Sequence, residues 1–272
     1  MECPNNDLTI KKDLEYELIG SGGEGEVYKY NDQLAFKTFL FFSYPEKLAL
    51  KLKKIELLIH LRDNNACLPK GFVRYEDGTI KGYYCDLVNP HEAFKDLDAK
   101  ELLYLKDIRK KLKLIIEADE AIQRFHKMGI ILGDIKGNNI MIDTNENIRF
   151  VDTDNWMYGG YGFDIDLIRA SWLKRIYKKE FSGLDNDRFI FSIMSIQILL
   201  SMHFIDLRYI NDKFLENMIY HLEVPKEIKE YLRLIFSDAK DKPYIGDILR
   251  KIETEELISE VNRKLLRYRR IR

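Results

Sequence analysis

The chain has 272 residues, of which 46% are apolar and 33% charged, and this is ample for a packed globular core. Its formal net charge of −1 excludes a basic field over the whole chain, so we expect no nucleic-acid partner. The three cysteines lack metal-ligand spacing, and their odd, scattered arrangement predicts reduced thiols in a cytoplasmic protein.

No membrane segment is predicted. The N-terminus is polar and charged, so we expect no signal peptide. The most apolar stretch, residues 189–204, contains Ser, Gln and His and is too short and too polar to span a bilayer. We expect it to form a buried helix.

Strand-like runs dominate the first third of the chain. DLEYELIG alternates and ends in glycine, and the polar residues at 31–33 separate EVYKY from LAFKTF, which predicts a hairpin. Two further runs, GFVRYE and TIKGYYCDLV, are joined by Asp77-Gly78, a strong hairpin signal. Together these runs predict a five-stranded antiparallel sheet.

One helix is predicted within this strand-rich part. From Pro45 to about Arg62 apolar residues recur at helical spacing, and a proline suits the first helical turn. The apolar stripe consists of Leu48, Leu52, Ile55 and Ile59.

The rest of the chain is mostly helical. Asn89-Pro90 breaks the strand pattern, residues 99–128 are charged and amphipathic, and helical sequence returns from about Asp185. Strands segregated from helices favour an α+β class, with an N-terminal lobe of residues 1–88 and a C-terminal lobe of residues 89–272.

A small hairpin is predicted inside the helical part. The polar triplet at 145–147 separates the run GNNIMID from IRFVD. The two short apolar runs on either side of this turn are expected to pair as strands.

A glycine-rich pattern, G-x-G-x-x-G-x-V, occupies residues 20–27. Alone it also fits a dinucleotide-binding loop, but such a loop must open a helix, and here a second strand run follows. A glycine-rich hairpin lets backbone amides lie over phosphates without a Cβ in the way. The predicted phosphate-binding positions are Gly20, Ser21, Gly22, Gly23 and Gly25.

Lys37 lies on the strand that follows this hairpin. A kinase needs a fixed cation there to hold the α- and β-phosphates, and a carboxylate to hold that cation. Glu56, on the amphipathic helix, is the predicted partner. Glu46 is the second choice, because an acidic residue in the first helical turn also suits the helix dipole.

The pattern D-x-K-x-x-N begins at Asp134, and Asp152 follows after a short apolar run. Asp134 would orient the acceptor hydroxyl and take its proton, while Lys136 would neutralise the transferred phosphoryl group. Asn139 and Asp152 offer hard oxygen ligands to magnesium. Four residue types in this order are hard to explain as turn residues alone.

Together these motifs resemble the protein kinase family over most of the chain, roughly residues 14–250. The resemblance implies a two-lobed fold, with a five-stranded antiparallel small lobe that carries one helix and a mainly helical large lobe. It also implies that ATP and Mg²⁺ bind between the lobes and that a γ-phosphoryl group is transferred to a hydroxyl.

The resemblance assigns further positions. Residues from Asp86 to Val88 would carry the adenine hydrogen bonds. Val27 and Ala35 would pack on one side of the adenine, and Met141 on the other. Cys85 would line the back of this pocket, and Asp187 would open a buried helix and hold the backbone of the catalytic loop.

The sequence departs from the family pattern at several points. The usual H-R-D reads L-G-D at 132–134, the usual D-F-G reads D-T-D at 152–154, and no A-P-E precedes Asp187. Lys242 stands where the family has its late arginine, which normally pairs with the glutamate of A-P-E. Both partners of one ion pair are therefore replaced together, which is self-consistent.

These departures resemble divergent bacterial Ser/Thr kinases and affect regulation more than phosphate chemistry. Without an arginine at position 133, a phosphorylated activation segment lacks its usual partner, so we expect no strict switch by phosphorylation. Asp154 could serve as a further metal ligand or as a structural carboxylate, and the structural role is favoured.

The acceptor is predicted less sharply than the reaction. Lys136, two residues after Asp134, resembles Ser/Thr protein kinases. A Gly-Asp pair before the loop also occurs in aminoglycoside and choline phosphotransferases, which act on small hydroxyl compounds. The complete glycine pattern favours a protein substrate, and the missing A-P-E favours a small one.

A third alternative is a pseudokinase scaffold that binds nucleotide and a partner protein. Lys37, Asp134 and Asp152 are all present, which favours an enzyme. The basic tail at 263–272 could make a weak contact with anionic lipid or nucleic acid, but a solvated helix end is the favoured interpretation.

Overall fold

The fold is described from a computed structural model, and the residues it describes are 7–12, 14–40, 45–94, 106–161, 183–200, 212–222, 224–237, 239 and 241–259. The chain divides into two compact units. The first comprises residues 1–92 and 139–163, and the second comprises residues 93–138 and 164–272. The segment that carries Asp152 therefore belongs to the same unit as the glycine pattern and Lys37.

A six-stranded sheet forms the centre of the first unit, with the strand order β1-β5-β6-β4-β3-β2. The strands are β1 Leu8–Ile10, β2 Glu17–Gly22, β3 Gly25–Lys29, β4 Leu34–Phe39, β5 Gly71–Tyr75 and β6 Ile80–Asp86. Neighbouring strands are antiparallel except β1 and β5, which run parallel. Both predicted hairpins, β3–β4 and β5–β6, are confirmed.

The sheet was predicted to have five strands, all antiparallel, and this is wrong because it has a sixth strand that pairs in parallel. β1 adds a sixth strand, with Leu8 opposite Val73. Asp7 helps to fix this pairing, because its carboxylate accepts hydrogen bonds from the Phe72 backbone N–H at 3.1 Å and from Arg74 Nε at 2.6 Å. A three-residue strand with a distant parallel partner leaves neither an alternating run nor a turn signal in the sequence.

Helix α1, Pro45–Leu58, packs on one face of this sheet. Ile55 is fully buried with Phe39 and Tyr83, and the rest of the predicted apolar stripe packs against them. The opposite face carries a second cluster of buried side chains, namely Ile10, Phe36, Val73 and Tyr84. Tyr83 and Tyr84 lie in different clusters because successive strand residues point to opposite faces.

A smaller sheet has the strand order β7-β8-β9, with β7 Pro90–Ala93, β8 Ile140–Asp143 and β9 Ile148–Phe150. The predicted hairpin between β8 and β9 is confirmed. Asp143 Oδ1 stabilises its turn by accepting hydrogen bonds from the backbone N–H groups of Asn145 at 2.9 Å and Asn147 at 3.0 Å. This hairpin positions Asn139 before β8 and Asp152 after β9.

The second unit is built from helices. Within its described residues they are α2 Lys106–Lys127, α3 Gly183–Leu200, α4 Asp212–His221, α5 Lys226–Ile235 and α6 Ile245–Leu249. Helix α2 contacts α3 and α6, and α5 contacts α4 and α6. The predicted buried helix at 189–204 is confirmed as far as residue 200, where its description ends.

The secondary structure is therefore mixed, with a six-stranded sheet and several helices, and it is compatible with an α+β fold. Among the helices in the described part of the chain, none has both the length and the apolar character needed to cross a bilayer. The basic tail predicted at 263–272 lies outside the described residues.

Candidate active site

The glycine pattern forms the β2–β3 hairpin. Gly22 lies opposite Gly25, so that Gly23 and Glu24 form the turn. A Cβ on Gly25 would lie 1.9 Å from the carbonyl oxygen of Thr38, so β3 can approach β4 this closely only with glycine at that position. Gly20 and Ser21 lie in β2. Because a strand and not a helix follows the glycines, the geometry differs from that of a dinucleotide-binding loop.

Three of the predicted nucleotide positions share one face of the sheet. On neighbouring strands, Val27 is opposite Lys37, and Lys37 is opposite Tyr83. Ala35 is two residues before Lys37 and opposite Cys85, so it shares this face. Val27, Ala35 and Lys37 therefore line one surface, which also receives α1.

Lys37 is buried on β4, with a residue exposure of 6%. Its Nζ contacts Oδ1 of Asp152 and lies 2.9 Å from Oδ1 of Asp154. Burial disfavours the ammonium, but the carboxylates of Asp154 and Asp152 outweigh it and raise the pKa of Lys37 above its usual value. Lys37 is therefore a fixed cation.

The predicted ion pair between Lys37 and Glu56 is not formed in the structure. Glu56 lies on the exposed face of α1, as Glu46 does. The helix buries Lys51 and Lys54 together with two apolar residues. The physical reason is the helical period, because the buried residues of α1, from Lys51 to Leu58, recur at spacings of three and four and share one face. Glu56 falls on the opposite side of the helix from that face.

Asp154 is the carboxylate at the centre of this arrangement. It is fully buried, its Oδ1 accepts a hydrogen bond from the Tyr83 hydroxyl at 2.9 Å, and its Oδ2 lies 2.5 Å from Lys51 Nζ. Burial opposes ionisation, but Lys37 and Lys51 lower the pKa of Asp154 below its usual range. Asp154 therefore joins two lysines from different elements.

Two further residues complete the cluster. Lys51 Nζ lies 2.7 Å from Oε2 of Glu24, in the glycine turn. Lys54 is also buried, and burial together with the charge of Lys51 lowers its pKa to about 8. Lys51, Lys54 and Glu24 were not predicted from the sequence. A usable signal was the helical spacing of Lys51, which is four residues before Ile55 and seven before Leu58.

Asp152 occupies a left-handed backbone conformation, with φ 59° and ψ 38°, directly before the short helical turn Thr153–Asn155. Aspartate tolerates this region better than most residues. Its Oδ2 accepts a hydrogen bond from Asn155 Nδ2 at 3.0 Å. Burial, together with the neighbouring charge of Asp154, raises the pKa of Asp152.

The predicted magnesium ligands come from the two ends of the β8–β9 hairpin. The Val151 N–H donates to the Asn139 carbonyl oxygen at 2.9 Å, which places Asn139 beside the residue that precedes Asp152. The buried Oδ1 of Asn155 has no hydrogen-bond partner among the described residues. No group of three or more His, Cys, Asp or Glu side chains suited to a metal occurs in the described part of the chain.

This donor set fits magnesium. The ion commonly takes one or two protein ligands and completes its shell with water and phosphate oxygens. Asp152 and Asn139 would supply hard oxygens, so a group of three acidic side chains is not required.

The remaining predicted adenine positions lie near the end of β6 and on β8. The Asp86 carboxylate lies 2.5 Å from Lys70 Nζ at the surface. Val88 follows β6 and is half-buried, and Met141 is half-buried on β8. These positions stay predictions for adenine contact.

In the second unit, Asp134 and Lys136 form an ion pair of 2.5 Å, and both side chains are partly exposed. Gly133 has φ 70°, a conformation that side chains rarely adopt, which is a physical reason for glycine at this position. The Asp187 carboxylate accepts the backbone N–H groups of Leu132 at 2.7 Å and Gly133 at 2.9 Å. The role predicted for Asp187, holding this loop, is confirmed.

Lys242, which stands at the position of the late arginine, is buried. Its carbonyl oxygen accepts a hydrogen bond from Arg188 at 2.9 Å. Residues 162–182, which precede Asp187 where the family has its A-P-E motif, lie outside the described residues.

Comparison with known proteins gives a distant likeness. No family model matches the chain. A Dictyostelium discoideum protein named "Probable serine/threonine-protein kinase fnkE" is 24% identical over 162 residues, which is 54% of this chain and 12% of that protein. The chain therefore matches a small part of that relative, and the likeness supports a kinase-like relationship at most.

Proposed function

We propose that this chain is an ATP- and Mg²⁺-dependent phosphotransferase, and that its acceptor is a Ser or Thr hydroxyl of a protein. One observation carries the proposal. Lys37, on the strand after a glycine-rich hairpin, is buried against the carboxylates of Asp152 and Asp154. A fixed lysine beside a potential metal ligand is the arrangement that phosphoryl transfer from a nucleotide requires.

Each unit would supply different chemistry. In the first unit, Lys37 would bind the phosphates, and Asp152 with Asn139 would hold magnesium, which neutralises charge on the phosphates when bound. In the second unit, Asp134 would orient the acceptor hydroxyl and accept its proton. Lys136 would stabilise the charge on the transferred group.

A small hydroxyl compound is the second candidate acceptor. The observation in its favour is Gly133, whose φ of 70° suits glycine better than the arginine of the usual H-R-D motif. The complete glycine hairpin and Lys136 favour a protein acceptor, and we retain that as the proposal.

The test is Mg²⁺-dependent transfer from γ-labelled ATP to a generic Ser/Thr protein, to a panel of small hydroxyl compounds, and to the enzyme itself. We expect label on protein with wild type and a loss of at least about 100-fold with Asp134→Asn or Asp152→Ala. Glu253→Gln, at an exposed carboxyl of the second unit, is the matched control.

The acceptor decides between the candidates. Label on small compounds alone would replace the protein-kinase proposal with the small-molecule one. If wild type transfers no label and binds no ATP, the phosphotransferase proposal is wrong. ATP binding without transfer would favour the scaffold alternative.

A further inference from the structure

Helix α1 brings positive charge to the cluster around Lys37. Its buried residues include Lys51 and Lys54, while Glu46 and Glu56 are exposed. The carboxylates that contact Lys37 are instead those of Asp152 and Asp154. The helix therefore contributes two lysines at the place where the sequence predicted the carboxylate of Glu56.

Lys51 contacts two carboxylates at once. Its Nζ lies 2.5 Å from Asp154 Oδ2 and 2.7 Å from Glu24 Oε2, and its side chain is only 5% exposed. Because Lys37 contacts the other oxygen of Asp154, one buried carboxylate joins both ammonium groups. Lys51 is thus a neighbour of the predicted phosphate-binding lysine.

The two carboxylates on Lys51 differ in how firmly they are held. Asp154 is fully buried and also contacts Lys37 and the Tyr83 hydroxyl. Glu24 is 27% exposed and lies in the glycine turn. Its backbone carbonyl accepts a hydrogen bond from the Leu40 N–H at 3.2 Å, so its side chain can rotate away while the hairpin stays in place.

We propose that Lys51 is a second phosphate-binding cation, and that Glu24 occupies it when no nucleotide is bound. The inference rests on the proposed function and adds a polyphosphate contact to the same site. A phosphate oxygen and a carboxylate oxygen both accept charge-assisted hydrogen bonds from an ammonium group. A nucleotide phosphate can therefore replace Glu24 at Lys51 while Asp154 remains in place.

The exchange makes Glu24 a competitor of the phosphates. Removing its charge should raise the affinity for nucleotides that carry several phosphates, and removing the Lys51 charge should lower it. Neither change should alter the affinity for adenosine, which has no phosphate. The effect of Glu24 should disappear when Lys51 is absent, because the two act through one contact.

The experiment measures dissociation constants of ADP, ATP and adenosine with Mg²⁺ by titration calorimetry. We expect Glu24→Gln to tighten ADP and ATP binding by about tenfold and Lys51→Met to weaken it by about tenfold. In the double variant, Glu24→Gln should have no further effect. Glu17→Gln on β2 and Lys53→Met on α1, both at exposed positions, are the matched controls.

The outcomes separate this inference from the proposed function. If wild type binds ATP with Mg²⁺ but Glu24→Gln leaves that affinity unchanged or weaker, Glu24 is a structural partner and the inference is wrong. Should wild type bind neither nucleotide, both proposals fail. Circular dichroism checks the fold, and if Lys51→Met does not fold, Glu24→Gln alone decides.

Discussion

At the scale of single residues, two aspartates separated by one position have different environments. Asp154 is fully buried, and two lysines lower its pKa against the effect of burial. Asp152 is partly exposed, and burial with the charge of Asp154 raises its pKa. The environment of Asp154 favours the structural role, and that of Asp152 favours contact with an exchangeable ligand.

Asp119 provides a test at this scale. It is buried on α2, accepts hydrogen bonds from Gln123 at 2.9 Å and from the Gly246 N–H, and faces the charges of Asp247 and Arg250. Burial raises its pKa to about 7 from 3.8. The folded state therefore favours the protonated carboxyl of Asp119. The stability that this protonation contributes is complete below pH 3.8 and is lost as the pH rises through 7.

We expect Asp119→Asn to be more stable than wild type at about pH 8.5, with a difference that shrinks towards about pH 5. Each 1 kcal/mol recovered should raise Tm by about 2–4 °C in a chain of this size. Thermal unfolding of both proteins across this pH range is the measurement. A difference in Tm that does not change with pH would show that ionisation of Asp119 is not the cause.

At the scale of elements, the β2–β3 hairpin depends more on Gly25 than on Gly23. A Cβ on Gly25 would meet the Thr38 carbonyl oxygen, whereas a Cβ on Gly23 would meet nothing within 4 Å. Gly25→Ala should destabilise the fold by about 1–3 kcal/mol because β3 and β4 must separate. Gly23→Ala should change stability by less than about 0.5 kcal/mol.

Urea unfolding of the two alanine variants measures this difference. Equal stability for both would mean that the close approach of β3 to β4 can relax at little cost. Because both variants remove one glycine, the comparison also controls for the entropy of the unfolded chain.

The elements differ in how far they could be predicted. The β3–β4, β5–β6 and β8–β9 hairpins and α1 carry local signals, and all four were predicted. β1 was missed because its parallel partner is distant in sequence. The prediction of Glu56 as the partner of Lys37 was wrong for a related reason. The actual partners, Asp152 and Asp154, lie 115 and 117 residues further along the chain.

At the scale of the whole molecule, ligand binding should affect the two units differently. If Lys37, Asn139 and Asp152 hold ATP and Mg²⁺, amide hydrogen exchange should slow in the glycine hairpin and in residues 139–155. At a ligand concentration about 100 times Kd, protection of amides that exchange by opening the site should rise by about 100-fold. Helix α5, in the second unit, should change less.

Hydrogen exchange followed by mass spectrometry tests this with ATP in Mg²⁺ and with ATP in EDTA. Loss of protection at 139–155 in EDTA would support the magnesium ligands. Protection confined to the second unit would contradict the assignment of the nucleotide to the first.

The first unit is assembled from two separated stretches of chain, and this affects how it forms during synthesis. Lys37 leaves the ribosome 115 residues before Asp152. At about 5–20 residues per second, the delay is roughly 6–23 s. During that interval Lys51 can pair with Glu24, which is already translated, but Lys37 has neither Asp152 nor Asp154 to neutralise it. We therefore expect Lys37 to stay solvated, and the cluster to close around it only once the residues after the β8–β9 hairpin have been translated.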